Sequence, residues 1–369
     1  MKKYKIENLC TVRSSKRIFA NQYTNDGIPF YRGKEITLLS LGQKISDLLY
    51  INDKAYDDIK TNGVPKENDI LITAVGTIGS VWLIDHNTPF YFKDGNIIWL
   101  SSINADIVLP KYLKYLLTSS AFQRKIEEIS IGSNQKALTI DALKKQEIDV
   151  PALNIQQHIV DILGSIDDSI ENNEKIAADL EDYAISKYQE LTRGIRDFIP
   201  LGEIVDIYDS KRKPLSSRER ESRKGDYRYY GATGVLDYVN DYLFDGEYVL
   251  LAEDGTVIDE NGYPIVQLVT GQFWVNNHAH IMQAKAGYTN YSLYVALKKL
   301  SVNTAVTGAV QLKINQANLC ALELPKIDEN ELSAFNQDIE PLFLKMIHIR
   351  AEIEKLNELK QLYLHKFFG

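Results

Sequence analysis

Two long acidic, amphipathic runs, at about 155–193 and 329–368, each close a strand-rich segment, so this chain states one plan twice. Their starts lie roughly 175 residues apart, and the segments ahead of them echo each other in order. Ser15-Lys16-Arg17 answers Ser210-Lys211-Arg212, and Pro29-Phe30-Tyr31-Arg32-Gly33 answers Arg228-Tyr229-Tyr230-Gly231. Asp69-Ile70-Leu71-Ile72-Thr73 before Gly76-Thr77-Ile78 answers Glu247-Tyr248-Val249-Leu250-Leu251 before Gly255-Thr256-Val257, apolar β-formers ahead of a Gly-Thr turn in both. Phe90-Tyr91-Phe92 with Asn96 answers Phe273-Trp274-Val275 with Asn276 and Asn277. Finally Gly132-Ser133-Asn134-Gln135 leads through Leu138 and Leu143 to Val150-Pro151, as Gly308-Ala309-Val310-Gln311 leads through Ile314 and Leu319 to Leu324-Pro325. The common order makes internal duplication the reading, and each copy must bury its own apolar residues.

The long runs predict rods. Leu332, Phe335, Ile339, Leu342, Met346, Ile349, Ile353, Leu356, Leu359 and Tyr363 recur at alternating steps of three and four, an apolar seam that needs a facing helix. Ile155, Ile159, Ile162, Ile166, Ile176, Leu180, Tyr183 and Leu191 keep a similar stripe, with Ser169 and Asn173 polar at its middle. Pro151 and Pro325 stand where a strand must stop before each helix. At about 1.5 Å per residue the first rod spans about 58 Å, more than the roughly 34 Å of one DNA turn. An antiparallel pair of such rods would hold two heads at a set distance. The expected fold is α+β: two mixed α/β heads with a pseudo-twofold internal repeat, separated by two long helices in an antiparallel coiled coil. The expected boundaries are 1–151, 152–195, 196–326 and 327–369, with shorter helices at 112–128 and 292–300.

Length and composition agree with this. At 369 residues and 44% hydrophobic content the chain suits two domains with separate interiors. No apolar run approaches the roughly 20 residues of a membrane span, and residues 1–8 lack a signal peptide's apolar stretch. Cys10 and Cys320 are isolated thiols without disulfide or zinc spacing, so a reducing cytoplasm is expected. The net charge of −8 is unevenly placed: nine acidic against three basic residues in 153–193, and eight against five in 327–369. The rods therefore hold the acid, and the heads are near neutral with local basic clusters. Weak overall basicity means weak unaided affinity for phosphate, so other subunits would add positive surface.

Catalytic alternatives fail on spacing. Asn87-Thr88-Pro89-Phe90 approaches the motif with which amino-methyltransferases grip a flipped base, but it lacks the first proline and has no upstream Gly-rich cofactor loop. A surface turn explains it. His278 and His280 alternate along one strand and could hold a metal, yet no carboxylate or Cys lies at ligand spacing. No phosphate-cradling Gly-x-x-x-x-Gly-Lys is present.

The order of variable head, Gly-x-x-Gln stretch, proline and long helix, twice over, resembles the DNA-specificity subunit of type I restriction-modification systems. So does the helix-opening run Leu153-Asn154-Ile155-Gln156-Gln157-His158-Ile159-Val160, whose second counterpart, Glu331 to Asp338, keeps little of the Gln-Gln pattern. The resemblance covers essentially the whole chain. It implies two target-recognition domains, each reading half of a split, asymmetric sequence in double-stranded DNA, with the paired helices as a ruler. It implies assembly with two modification subunits, which bind S-adenosylmethionine and methylate adenine, and with restriction (motor-nuclease) subunits that use ATP and Mg. This chain itself would bind no cofactor or metal and catalyse nothing.

A reader of bases needs donors and forked amides on loops. The candidates in the first head are Lys16, Arg17, Arg32, Lys34, Thr77, Lys93, Asn96, Asn134, Gln135 and Lys136. In the second they are Lys211, Arg212, Lys213, Arg228, Tyr229, Tyr230, Thr256, Asn276, Asn277, His278, Gln311 and Lys313. Plainer roles stand beside these: a solvated loop for Lys211 to Lys213, strand continuation for Thr77 and Thr256, and a local cap for Asn134 and Gln135. The competing class of function is a coiled-coil scaffold with two protein-binding heads.

Overall fold

The computed structural model describes residues 1–45, 47–132, 136–259, 261–308 and 312–369. The chain divides into two compact units, residues 1–171 with 354–369, and residues 172–353.

In unit 1 the run Ile70–Thr73 is buried on both faces and forms the inner part of a four-stranded antiparallel sheet with Thr11–Arg13, Ile97–Ser101 and Val81–Leu83. A second four-stranded sheet joins Tyr23–Thr24, Leu49–Ile51, Ile28–Tyr31 and Tyr91–Phe92. Lys2–Lys5 pairs antiparallel with Glu147–Val150, closing the head at its root. The helix expected at 112–128 is two, Pro110–Thr118 and Ser120–Ile129. Ser119 divides them because its extended backbone ends the first, while its hydroxyl accepts from the Phe122 N–H and caps the second.

In unit 2 one six-stranded sheet runs in the order Val205–Ile207, Ala279–Ala284, Phe244–Ala252, Val266–Val275, Lys224–Tyr230 and Val235–Val239. The helix expected at 292–300 is Asn290–Lys298, capped by the Thr289 hydroxyl and buried against the sheet.

The rods are present as Leu153–Leu191 and Glu329–Phe368. Within each unit they run antiparallel. In unit 1 the Asp167 carboxylate meets the Lys360 ammonium at 2.6 Å and accepts from the Tyr115 hydroxyl at 2.7 Å, while Ile159, Leu163 and Leu364 enter one core. In unit 2 the rings of Tyr188 and Phe335 lie 5.9 Å apart. The seam of the second rod is buried at Leu332, Phe335, Ile339, Met346 and Ile349. On the first rod, Ile155 and Tyr183 face outward, and Leu163, Ala184, Ile185 and Tyr188 are buried in their place. A pattern of 3.6 residues per turn drifts from a strict heptad, so the stripe passes to neighbouring positions where the rod packs on a head.

Phe343, one step off the expected seam, is fully buried and stacks on Tyr291 at 5.0 Å with Tyr294 edge-on. Two positions earlier Pro341 sits inside the helix on its exposed side. It supplies no N–H to the helical ladder, which costs about 3 kcal/mol in a helix interior. Pro341→Ala is therefore expected to stabilise unit 2 by about 1–3 kcal/mol, read as a higher urea midpoint at constant m-value. An unchanged or lower midpoint would show that this packing requires the proline.

The duplication holds at the level of hydrogen bonds. Phe30 and Tyr31 pair in parallel with Tyr91 and Phe92, and Tyr229 and Tyr230 pair in parallel with Trp274 and Val275. The next amide closes the same bond in each, Lys93 N–H to Tyr31 O and Asn276 N–H to Tyr230 O. Elsewhere the register departs from the sequence echoes. Ala74 N–H bonds Asn96 O as Glu253 N–H bonds His278 O, so Asn96 answers His278, not Asn276 or Asn277. Tyr4 faces Ile148 as Ile199 faces Leu324, so Pro151 and Pro325 are not equivalent positions.

Candidate nucleic-acid interface

In both units the candidate loops leave the same end of the sheet. Gly76 and Gly255 take φ of +80° and +81° after the inner strand, a left-handed turn that glycine adopts without strain. The exposed Thr77 and Thr256 follow in these turns, not in strands. The basic loops are held from below. The Tyr91 hydroxyl accepts from the Lys16 N–H at 2.8 Å, and the equivalent Trp274 donates its indole N–H to Lys213 O at 2.6 Å. Aromatic residues at one frame position thus hold the loop backbone while leaving the lysine side chains exposed at Lys16 and Lys213.

The candidates sort into three groups. Lys16, Lys34, Lys136, Lys211, Lys213, Thr77, Thr256 and Asn277 are exposed, and Lys93 and Asn96 half-buried, on loops, a helix start or, for Lys211, the end of a 3-10 turn. Others reach the surface already paired. Arg17 bonds Asp94 at 3.0 Å, and His278 meets Asp254 at 2.6 Å. Arg32 grips the buried Glu35 at 2.6 Å, where burial works against the carboxylate but the Arg32 bonds hold it below the usual range. The third group is interior. Tyr229 and Tyr230 belong to the core, and buried Asn276 accepts from the His278 N–H at 2.8 Å to shape the turn. Arg228 is half-buried in the strand. Asn134, Gln135 and Gln311 lie outside the described residues.

Arg212 is held inside the unit. Its guanidinium, 14% exposed, donates to Glu253 at 2.5 Å and to Ala279 O at 2.8 Å, and lies 3.5 Å from Asp209. Lys313 meets the same Glu253 at 3.1 Å. His280, 1% exposed, donates from Nδ1 to Asp209 at 2.6 Å, and its Nε2 lies 2.8 Å from Ile314 O. Both ring nitrogens thus face oxygen atoms, one a carboxylate and one a backbone carbonyl. Burial would raise the Asp209 carboxyl, yet the bond and charge of His280 outweigh it and hold the group below its ordinary range. Glu253 behaves alike, with Arg212 and Lys313 overcoming burial.

Asp209, Glu253 and His280 form a carboxylate–histidine group within 4.8 Å. Sequence spacing missed it because its members come from a short 3-10 turn, the residue just past a strand end and a separate strand, with Asp209 and His280 71 positions apart. Cations from the chain already meet these carboxylates, which is the chemistry of an ion network. Asn87-Thr88-Pro89-Phe90 lies in an irregular connection between strands: Asn87 bonds Glu67, and Phe90 is buried against Tyr31. Gln156 explains part of the helix-opening run. Fully buried, it accepts from the Leu109 N–H and donates to Ile107 O and Pro151 O. The matching place in the second rod, which also bonds four residues back, is the buried Leu332, so the amide is specific to the first.

In unit 2 an open cleft lies between the 231–236 turn, the Asp254–Thr256 turn and Asn276 with His278. A duplicated frame whose two copies present different polar loops defines a protein built to bind two different surfaces with one architecture. Residues 1–182 and 197–361 match the family described as type I restriction modification DNA specificity domain, and the chain belongs to that family. It carries two copies of that DNA specificity domain, one in each half of the chain. It is 24% identical to the type I restriction enzyme MjaIX specificity subunit of Methanocaldococcus jannaschii, over 94% of this chain and 88% of that one. It is 25% identical to the EcoprrI specificity subunit of Escherichia coli, over 97% and 86%. The type I restriction-modification S subunit structure from M. genitalium has the same fold, with a TM-score of 0.57 and 18% identity over 100% of this chain and 96% of that one. No helix among the described residues is long and apolar enough to cross a membrane.

Proposed function

We propose that each unit reads one half of a bipartite, asymmetric DNA sequence, and that the two rods fix the number of unread base pairs between the halves. The observation that carries this is the shared hydrogen-bond frame presenting unlike loops: Lys16, Thr77, Lys93 and Asn96 in one copy, Lys211, Lys213, Thr256, Asn277 and His278 in the other. Exposed lysines set register on phosphate, and the amide, hydroxyl and imidazole groups approach base edges. The chain works in the cytoplasm with two modification subunits, which hold S-adenosylmethionine and methylate adenine, and with motor-nuclease subunits, which use ATP and Mg. It holds no cofactor of its own.

The test is binding of the complex to a duplex panel across a salt series. A reader making six to ten phosphate contacts loses about 10³–10⁵ in affinity between 50 and 200 mM salt, and its preferred duplex keeps an advantage throughout. A complex with no preferred duplex at moderate salt would end this reading.

A further inference from the structure

The Asp209, Glu253 and His280 cluster of unit 2 has no counterpart at the same place in unit 1. The shared register sets Glu253 over Ala74, since each donates its N–H to the turn carbonyl of His278 or Asn96 and accepts from Ile314 or Leu138. His280 faces Leu251 as Ile98 faces Ile72. Ile207 pairs with Met282 as Val12 pairs with Leu100, and two residues further on Asp209 stands where unit 1 has Ser14. Unit 1 therefore builds the frame with Ala74 and Ile98, both 2% exposed, while unit 2 places a half-buried acid and a buried histidine there. Arg17, the counterpart of Arg212, lies at the surface with its side chain 69% exposed.

A buried ion network is not needed to make this frame, and such networks are often replaced by apolar residues without loss of stability. What the network adds is connection. Asp209 lies in the basic loop, Glu253 precedes the Gly255 turn, His280 follows the Asn276–His278 turn, and the Ile314 carbonyl belongs to the strand carrying Lys313. Among the described residues, the loops carrying Lys211, Lys213, Thr256, Asn277 and His278 thus end on one cluster.

Resting on the proposed DNA readout, we propose that Asp209, Glu253 and His280 are positioning residues for the half-sequence read by unit 2. They hold three loops and the Lys313–Ile314 strand in one relative geometry through Arg212 and Ile314, touching no base themselves. Hydrogen-bond readout is sensitive to small displacements of donor and acceptor, so a fixed loop frame sharpens discrimination where phosphate contacts cannot.

The experiment gives unit 2 the residues of unit 1, in the triple variant Asp209→Ser, Glu253→Ala, His280→Ile. Unfolding of the full chain and genome-wide methylation by its complex are measured together. The expected result is one half-sequence intact and the other relaxed, with discrimination falling about tenfold or more at one or more bases, whatever the midpoint loses from Arg212 left without its carboxylates. A folded triple variant with both halves read as before overturns the proposal. So does a variant with a lowered midpoint and unchanged discrimination, which would mark the cluster as structural. Should the triple variant fail to fold, Glu253→Gln decides, keeping the shape and removing one charge. Relaxation confined to one half supports the proposal, and unchanged discrimination overturns it. Failure of the underlying readout is seen separately, as an unaltered complex with no sequence preference.

Discussion

Replacing residues 1–150 with the head of another specificity subunit is expected to change one half of the methylated sequence and leave the other intact. Each unit has its own apolar interior, centred on Ile70, Ile72 and Leu113 in one and on Val249, Leu251 and Leu297 in the other. The cut after residue 150 keeps the pairing of Lys2–Lys5 with Glu147–Val150 inside the exchanged segment. It also separates the head from the rod it packs on. Gln156 draws two of its three partners from Ile107 and Leu109 of the native head, and Asp167 draws two from Lys114 and Tyr115 beside Lys360 of the second rod, so the donor head must supply equivalents. A donor lacking them leaves a buried amide and a half-buried carboxylate short of partners, at about 1–3 kcal/mol for each unmet group, and would lower stability without testing specificity. With them present, several mismatched bases at about 1–3 kcal/mol each should abolish modification at the old half-sequence. Methylated-site sequencing that showed both halves altered would refute independent reading.

The parts of this architecture legible in the sequence were those written locally and repeated. The rods, the glycine turns and the basic loops each recur with their neighbours in order. Register was less legible, because strands pair through backbone atoms and an echo read from side chains can slip. The Asp69 and Glu247 runs illustrate this: the ladder sets Ile70 opposite Leu100 and Val249 opposite Met282, one residue from the match of side chains. Burial was hidden at Tyr229, Tyr230 and Asn276, whose types suit DNA contact but which the sheet turns inward. The ion cluster was hidden most fully, since nothing near Asp209 in sequence announces His280. Only the fold brings them together, and only comparison with Ser14 and Ile98 shows that the frame does not require them.

Inserting four residues after Asn173, with four more after residue 353 to keep the rods matched, is expected to abolish modification of the original target and move it to one with a longer interval. The first rod is continuous from Leu153 to Leu191 and has no buried residue between Ile166 and Ala184, so an extra turn there displaces no core side chain. Four residues add about 6 Å along a helix, against roughly 3.4 Å per base pair, so the interval should grow by about two base pairs. Both half-sequences should persist, because Asp167 with Lys360 and Tyr188 with Phe335 lie on opposite sides of the insertions and keep their partners. An insertion in the first rod alone sets its seam against the wrong residues of the second, and the stability lost there should exceed that of the matched pair. Modified sites that kept the old interval, or that showed new half-sequences, would refute the helical ruler while leaving the two readers in place.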